Sequence, residues 1–190
     1  VLHDAALAVH EGKILWIGDA SEAESRFTAG GRVDLQGRVV IPGLVNTHGH
    51  WAMTLMRGLV DDCPLEQWLG TIWRVEAAVL SPETVVTGSE LAIIEMLRSG
   101  TTCAADMYWY YPEVTETSRR AGFRIVTGPS FAEIEGFEDY RHTNQMIAIE
   151  YLDHYVDVPL VHPCIQAHSA YTTSPTTLEH VMGLVHDRGL

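Results

Sequence analysis

The chain has 190 residues, of which 46% are hydrophobic and 19% are charged, and it carries 12 basic residues against 25 acidic ones. This apolar content excludes general disorder, and because no apolar run reaches 18 residues we expect no membrane partner. The net charge of −13 argues against a nucleic-acid partner, because the neutralisation of phosphates requires a basic surface.

The first part of the chain, residues 1–41, is predicted to form short strands separated by turns that contain glycine. The strands are expected at residues 6–10, 14–17, 33–35 and 38–41. Apolar segments with this spacing are typical of a small β unit.

From about residue 39 the pattern changes to strands that alternate with helices. The serine-proline pairs at Ser81 and Ser174 mark helix starts, since serine is a good cap and proline suits the first turn. Four strand–helix units in this order predict parallel strands with right-handed crossovers, as in a doubly wound sheet or in half of an eight-unit barrel. No phosphate-binding glycine motif supports nucleotide binding on a doubly wound sheet. The predicted strands are 39–45, 101–107, 123–127 and 160–166, and the helices are 81–99, 112–121, 143–155 and 174–188.

The cysteines and the N-terminus bear on cellular location. Cys63, Cys103 and Cys164 are an odd, widely spaced set, which favours neither a disulfide framework nor a thiolate zinc site and suggests a reducing compartment. Residues 1–4 lack the basic stretch before an apolar segment that is typical of a secretory signal. We therefore expect a cytoplasmic protein, and the composition leaves a homo-oligomer open.

The chemistry-bearing residues begin with His48 and His50, two positions apart at the end of a predicted strand. This spacing places both rings on one face, where two neutral imidazoles can share a cation, most commonly zinc. Two neighbouring histidines are more often solvated or packed than metal-bound. Here they follow an apolar strand, and in parallel barrels active sites form at the carboxyl ends of strands.

The segment Ile41-Pro42-Gly43-Leu44-Val45-Asn46-Thr47-His48-Gly49-His50 resembles the first metal-binding motif of the amidohydrolase superfamily. Later segments resemble its branch of adenosine-derivative deaminases and triazine hydrolases, in particular the S-adenosylhomocysteine/methylthioadenosine deaminases. The matching segments are MTLMRG at 53–58, LEQWL at 65–69, DMY at 106–108 and HSAYT at 168–172.

The resemblance implies a fold as well as a site. It predicts an α/β protein in which residues 42–190 form the first four βα units, that is, the first half of a (β/α)8 TIM-type metallohydrolase barrel. Residues 1–41 would be part of a small β-sandwich domain that precedes it. The chain is then expected to be an N-terminal fragment of a longer enzyme.

The resemblance also implies one divalent metal ion, zinc or alternatively iron, bound by His48 and His50. A histidine on the fifth barrel strand and an aspartate on the eighth would complete the ligands, and a His-x-x-Glu glutamate would transfer protons. These residues are expected beyond residue 190, so no catalytic residue is assigned within the chain.

The single lysine bears on the number of metal ions. Dinuclear members of the superfamily bridge two metals with a carbamylated lysine at the end of the fourth strand, where this chain has Gln166-Ala167-His168. Lys13 lies far away in the N-terminal β unit. A mononuclear site of the deaminase type is the expected arrangement.

Three residues resemble substrate contacts of the family. Trp68 would stack on or pack against the substrate, Glu76 would accept hydrogen bonds from ribose hydroxyls, and His168 would contact the substrate at the mouth of the fourth strand. Glu76 as an exposed carboxylate and His168 as a locally bonded loop residue remain alternatives. The aromatic residues 108–111 form either a rim over a planar base or a packed loop, and Asp106 is expected to bond loop amides.

The expected activity is hydrolytic deamination of a purine-type small molecule, such as adenosine, methylthioadenosine or S-adenosylhomocysteine, by a metal-dependent aminohydrolase. Such an enzyme is a hydrolase of carbon–nitrogen bonds other than peptide bonds. Trp51, where relatives usually have a small residue, would reshape the pocket and keeps a triazine chloro- or aminohydrolase or a guanine or cytosine deaminase open. A catalytically incomplete fragment without activity is the alternative of a different class.

Overall fold

The computed structural model describes residues 1–189 and their side chains, except the side chain of Tyr140. The chain divides into two compact units, Val1–Ile41 and Pro42–Leu190.

The first unit is built on an antiparallel hairpin of β1 (Ala5–His10) and β2 (Lys13–Asp19). Glu11 and Gly12 connect the strands with φ angles of 48° and 75°, the left-handed conformation that a two-residue hairpin turn requires. A short helix, α1 (Ala20–Arg26), follows directly. The hairpin confirms the first two predicted strands.

The prediction was wrong for the rest of this unit. Residues 33–35 and 38–41 form no strand, and Val33 and Val39 are each 84% exposed. No strand within the described residues pairs with these segments, so their β-branched side chains have no sheet to join. The helix α1 was not predicted, although Asp19 gives the signal of an N-cap by accepting a hydrogen bond from the Ser21 amide at 2.8 Å.

The second unit is built on a parallel sheet of four strands in the order β3, β4, β5, β7. Its strands are β3 (Leu44–Asn46), β4 (Thr101–Ala105), β5 (Arg124–Thr127) and β7 (Val161–Pro163). Its helices are α2 (Leu65–Val79), α3 (Pro82–Arg98), α4 (Tyr111–Ala121), α5 (Glu138–Tyr155) and α6 (Pro175–Arg188), with a 3-10 helix at Trp51–Met56. The predicted α/β organisation with parallel strands is confirmed.

Two short strands, β6 (Ser130–Phe131) and β8 (Gln166–Ala167), continue the parallel pairing beyond β5 and β7. Between them the backbones approach closely at Gly128, where a Cβ atom would lie 2.0 Å from the carbonyl oxygen of Cys164. Only glycine tolerates this approach without a backbone shift. The predicted strand 160–166 is therefore two strands, and both lead toward His168.

In the second unit the predicted helices agree with the structure except that α5 begins five residues before its predicted start. Helix α2 and the 3-10 helix were not predicted. Helix α3 begins where expected, because Ser81 and Thr84 form a reciprocal capping box in front of Pro82. Helix α4 ends at Gly122, which has a φ of 67°.

The main core lies between the sheet and the helices of this unit. Val85, Ala92 and Ile93 of α3 are buried in it with Ile125 of β5. Helix α3 also approaches the 3-10 helix closely, since a Cβ on Gly88 would lie 2.6 Å from the Ala52 carbonyl oxygen. This contact fixes the segment that follows the two histidines.

Within the described residues no single helix has the length and apolarity needed to cross a membrane. Helices α2 and α3 pass that test only as a pair, and the pair is bent by 120° at its break.

Candidate active site

The two histidines lie in the turn that follows β3, and the end of β4 holds this turn in place. Nδ1 of His50 lies 2.6 Å from the carbonyl oxygen of Met107. Because a carbonyl only accepts, Nδ1 carries the proton and donates, which leaves Nε2 with a lone pair available to a ligand.

Two more hydrogen bonds connect the same segments. The Met107 amide donates to the Gly49 carbonyl oxygen at 3.0 Å, and the Trp51 amide donates to Oδ1 of Asp106 at 2.7 Å. Asp106 is fully buried, and burial raises its pKa to about 7 although the Trp51 amide opposes this. The carboxylate bonds a loop amide, as the sequence predicted for this residue.

The imidazole rings of His48 and His50 lie with their centroids 5.0 Å apart, at an interplanar angle of 82°. His48 is exposed and His50 is half-buried. Burial lowers the pKa of His50, the Met107 carbonyl opposes that shift, and the nearby His48 adds to it. A neutral ring, the form that binds metals, is therefore favoured at His50.

His168 follows β8 and is half-buried beside the pair. Burial lowers its pKa, and so do the neighbouring His50 and His48. Its Nδ1 and Thr172 Oγ1 are hydrogen-bonded at 2.6 Å. Such a local hydrogen bond was expected if His168 were a loop residue bonded to its neighbours, which was the alternative to a substrate contact. The bond uses Nδ1 and leaves Nε2 of the ring for another partner.

One cavity brings together most of the candidate residues. His50, His168, Trp68 and Glu76 all contribute to its wall, although they come from three different segments of the chain. The remaining wall is largely apolar: Met53, Leu69, Ile72, Trp73, Met107, Tyr108, Trp109, Ser130, Ala132 and Ile134. His48 is not part of this wall.

Glu76 lies on α2, one face of which is directed into the cavity with Trp68 and Ile72. Its side chain is only 3% exposed, so the alternative of an ordinary exposed carboxylate is wrong. Burial raises the pKa of Glu76 to about 7, and hydrogen bonds from the side chains of Tyr108 and Trp109 oppose this rise. The Tyr108 hydroxyl donates to Oε1 of Glu76 over 2.5 Å.

The aromatic residues after β4 form a packed loop, which was one of the two alternatives. Tyr108, Trp109 and Tyr111 are all less than 8% exposed. The indole of Trp109 stacks on Phe137 with ring centroids 4.7 Å apart. Tyr108 and Trp109 nevertheless reach the cavity wall. The sequence motif DMY indicated this segment, but nothing in the sequence showed that its side chains bind Glu76.

Trp51 does not line the cavity, although its size suggested that it would reshape the pocket. It is 3% exposed, packs edge-on against Phe123 with centroids 5.7 Å apart, and is absent from the cavity wall. Its amide is directed to Asp106, so the residue belongs to the support of the histidine turn.

Among residues 1–189, no group of three or more histidine, cysteine or acidic side chains is arranged to hold a metal ion. His48 and His50 are a pair, and Lys13 lies in β2 of the other compact unit. The described residues therefore provide the paired imidazoles of His48 and His50, with the His168 imidazole and the Glu76 carboxyl on the wall of the same cavity as His50.

Comparison with known proteins assigns this arrangement to a family. The profile described as the amidohydrolase family matches residues 39–190. A 5-methylthioadenosine/S-adenosylhomocysteine deaminase of Thermodesulfovibrio yellowstonii is 36% identical over 187 residues, covering 94% of this chain and 42% of that protein. The protein of the same name from Syntrophobacter fumaroxidans is 38% identical over 181 residues, with coverages of 91% and 40%.

A solved structure shares both the fold and the sequence pattern. The adenosine deaminase of Xanthomonas campestris with bound zinc superposes with a TM-score of 0.86 at 35% identity, covering 98% of this chain and 43% of that one. The chain spans about two fifths of the length of these relatives. The profile match covers most of the chain, and the chain therefore belongs to the amidohydrolase family.

Proposed function

We propose that the protein is a metal-dependent aminohydrolase that deaminates a purine-type nucleoside such as adenosine, methylthioadenosine or S-adenosylhomocysteine. The observation that carries the proposal is the shared cavity, in which His50 and His168 lie on the same wall as Trp68 and Glu76. Relatives at 36–38% identity named as 5-methylthioadenosine/S-adenosylhomocysteine deaminases support this substrate class.

The proposed architecture is the first half of a (β/α)8 barrel in residues 42–190, preceded by part of a small β-sandwich in residues 1–41. The uninterrupted parallel order β3, β4, β5, β7 supports the barrel, because consecutive units of a barrel lie side by side. The position of the histidines at the carboxyl end of β3 agrees with it, since barrel active sites form at that face.

His48 and His50 fit one divalent metal ion, for which we propose zinc. Their rings are close enough to share an ion, and the Met107 carbonyl holds His50 in the tautomer that frees Nε2. When bound, the metal supplies a hydroxide nucleophile at neutral pH by lowering the pKa of water to about 7. A histidine, an aspartate and a proton-transferring glutamate that the described residues do not provide would complete the mononuclear site.

The remaining proposed roles belong to the cavity wall. Trp68 packs against the planar base, His168 donates to or accepts from the base through Nε2, and Glu76 accepts hydrogen bonds from the ribose. Together these contacts hold the amine-bearing ring carbon near His48 and His50, which converts the reaction into an oriented, effectively intramolecular step. The apolar wall excludes water from the other faces of the base.

The decisive assay measures ammonia release by the zinc-loaded product of the complete reading frame that contains this chain. Adenosine, methylthioadenosine and S-adenosylhomocysteine are compared with guanine, cytosine and an aminated triazine. Release from at least one adenosine derivative is expected. Release only from a triazine, guanine or cytosine would overturn the substrate class, because those compounds carry no ribose for Glu76 to bind.

A second measurement addresses the completeness of the metal site in these 190 residues. The isolated chain is dialysed against zinc, and bound metal is determined by elemental analysis. Weak, substoichiometric binding is expected from two imidazoles. One tightly held zinc ion per chain would show that the proposed further ligands are not needed.

A further inference from the structure

A buried tyrosine separates the two ends of the cavity. The ring of Tyr108 lies 6.3 Å from that of His50, and its hydroxyl donates to Glu76 Oε1 at 2.5 Å. Tyr108 is 6% exposed, and the main chain of its neighbour Met107 binds both His50 and Gly49. The side chain therefore connects the metal-binding turn directly to the carboxyl group on α2.

Two donors restrain Glu76. The Tyr108 hydroxyl is one, and the Trp109 side chain, whose indole N–H only donates, is the other. A carboxylate has about four lone-pair positions, so two remain after these bonds are made. A ribose cis-diol offers two O–H donors, whereas a 2′-deoxyribose offers one.

We propose that Tyr108 is a positioning residue that makes the site selective for ribonucleosides over 2′-deoxyribonucleosides. The hydroxyl of Tyr108 orients the Glu76 carboxylate so that both of its remaining acceptor positions meet the 2′- and 3′-hydroxyls. The ring of Tyr108 sets the separation between this carboxylate and the histidine turn, which matches the ribose end of a substrate to its base end. The inference rests on the proposed function and assigns Tyr108 a role in choosing the sugar.

The anchoring also explains why a flexible carboxylate would not serve. A glutamate has three rotatable bonds, and ordering it upon ligand binding costs free energy that a pre-bonded side chain has already lost. Helix α2 fixes the backbone of Glu76, and the two donors fix the carboxylate. Without the Tyr108 hydroxyl the carboxylate keeps one donor and regains rotational freedom.

The test measures binding of three ligands that cannot be deaminated at the ring carbon in question: inosine, 2′-deoxyinosine and hypoxanthine. Calorimetric titration of the zinc-loaded product of the complete reading frame is carried out on the wild type and on Tyr108→Phe. The wild type is expected to bind inosine at least about 10-fold more tightly than 2′-deoxyinosine. One hydrogen bond to a charged group contributes a binding free energy of this size. In Tyr108→Phe this ratio is expected to fall below about 3-fold with hypoxanthine binding unchanged.

Tyr155→Phe is the matched control. The Tyr155 hydroxyl also donates to a glutamate, Glu116, but that pair lies outside the cavity. Its removal is expected to leave the ratio of the two affinities unaltered. Should Tyr108→Phe fail to fold, inosine, 2′-deoxyinosine and 3′-deoxyinosine are titrated into the wild type and into Glu76→Gln instead. Loss of either hydroxyl should weaken binding to the wild type. Loss of either hydroxyl should leave binding to Glu76→Gln unchanged.

The outcomes separate the two levels of the argument. A wild type that binds none of the three ligands contradicts the proposed function and this inference with it. A wild type that prefers inosine while Tyr108→Phe keeps the same preference contradicts this inference alone. Equal weakening of hypoxanthine and inosine in Tyr108→Phe would show that Tyr108 only supports the fold.

Discussion

His50 of the histidine turn and the Glu76 carboxyl line the same cavity, but the protein holds them in different ways. His50 is bound by a main-chain carbonyl, that of Met107, and the turn is tied to β4 through main-chain amides. Glu76 is bound by two side chains, those of Tyr108 and Trp109. The histidine half therefore depends on the course of the backbone, whereas the carboxyl half depends on the identity of its neighbours.

The same short segment, residues 106–109, serves both halves. Its first two residues face the histidine turn, and the next two face α2. Substitutions in this segment should thus separate the proposed metal binding from the proposed sugar binding. The predictions below test that separation, starting with the largest expected effect.

The histidine turn is tested by His50→Ala. Zinc affinity, measured by competition with a coloured chelator in the product of the complete reading frame, is expected to fall by more than about 100-fold, because loss of a supporting contact alone costs 10- to 100-fold. Met107→Leu keeps the carbonyl that binds His50 and is expected to change the affinity by less than about 3-fold. His186→Ala, on the exposed face of α6, serves as the control for a general effect of histidine removal.

A large loss in Met107→Leu would show that the side chain, and not the carbonyl, supports the turn. The contrast between the two halves of the site would then disappear.

The carboxyl half is tested through pH. The pKa of Glu76 is raised from 4.5 in the unfolded chain to about 7 in the folded one, chiefly by burial. As pH rises, the Glu76 carboxyl loses its proton at a lower pH in the unfolded state than in the folded state. The contribution of protonated Glu76 to the free energy of unfolding is therefore complete below pH 4.5 and is lost as pH rises through 7. Between these values the free energy of unfolding should decrease on the order of 3 kcal/mol through this group.

Urea unfolding of the metal-free chain at pH 5.5 and pH 8 measures the part of this decrease that lies above pH 5.5, about 2 kcal/mol. Glu76→Gln should be more stable than the wild type at pH 8 and should show a smaller dependence on pH. Asp106, whose pKa burial also raises to about 7, contributes in the same direction to the slope that remains in Glu76→Gln, whereas the lowered pKa values of His50 and His168 act in the opposite direction. An unchanged dependence of stability on pH in Glu76→Gln would mean that Glu76 is ionised throughout this range. The hydrogen bonds from Tyr108 and Trp109 would then lower its pKa by more than burial raises it.

The difference between the two halves also explains what the sequence could predict. The histidine turn is local: an apolar strand and an HxH motif predict that His48 and His50 lie close together, and the structure places their ring centroids 5.0 Å apart. The carboxyl half depends on contacts between residues 32 positions apart, which no local pattern encodes. Helix α2 was missed for a related reason, since its apolar residues face a cavity partly lined by other aromatic side chains and Pro64 provides no side-chain cap.

The fold shows the same division between local and distant information. Helices α3, α4 and α6 were predicted closely because their caps, Ser81, Gly122 and Ser174, are encoded beside them. Residues 33–35 and 38–41 were predicted as strands because they are apolar segments separated by a turn that contains glycine, yet a strand also needs a partner, which the sequence does not specify.

Gly49 tests the backbone dependence of the histidine turn directly. A Cβ at this position would lie 2.9 Å from the Ala105 carbonyl oxygen and 2.9 Å from the Trp51 ring. Gly49→Ala should therefore displace the turn from β4 and lower the free energy of unfolding by about 1–3 kcal/mol, the usual cost of overpacking. Zinc affinity should fall with it, whereas hypoxanthine binding should change less, and urea unfolding and chelator competition measure the two effects.

Gly70→Ala is expected to have the smallest effect on the free energy of unfolding, with the opposite sign to that of Gly49→Ala. It lies on the exposed side of α2, between Trp68 and Glu76, and a Cβ there would meet no atom within 4 Å. Gly70→Ala should raise the free energy of unfolding by about 0.5–1 kcal/mol, because alanine loses less conformational entropy in a helix. Gly122→Ala, at a φ of 67°, should instead destabilise the chain, which controls for a general effect of the added methyl group.

If Gly70→Ala also altered the preference for inosine over 2′-deoxyinosine, the helix backbone would share the positioning that we attribute to Tyr108 and Trp109. An unaltered preference in the stabilised variant would leave the carboxyl half dependent on its side-chain donors alone.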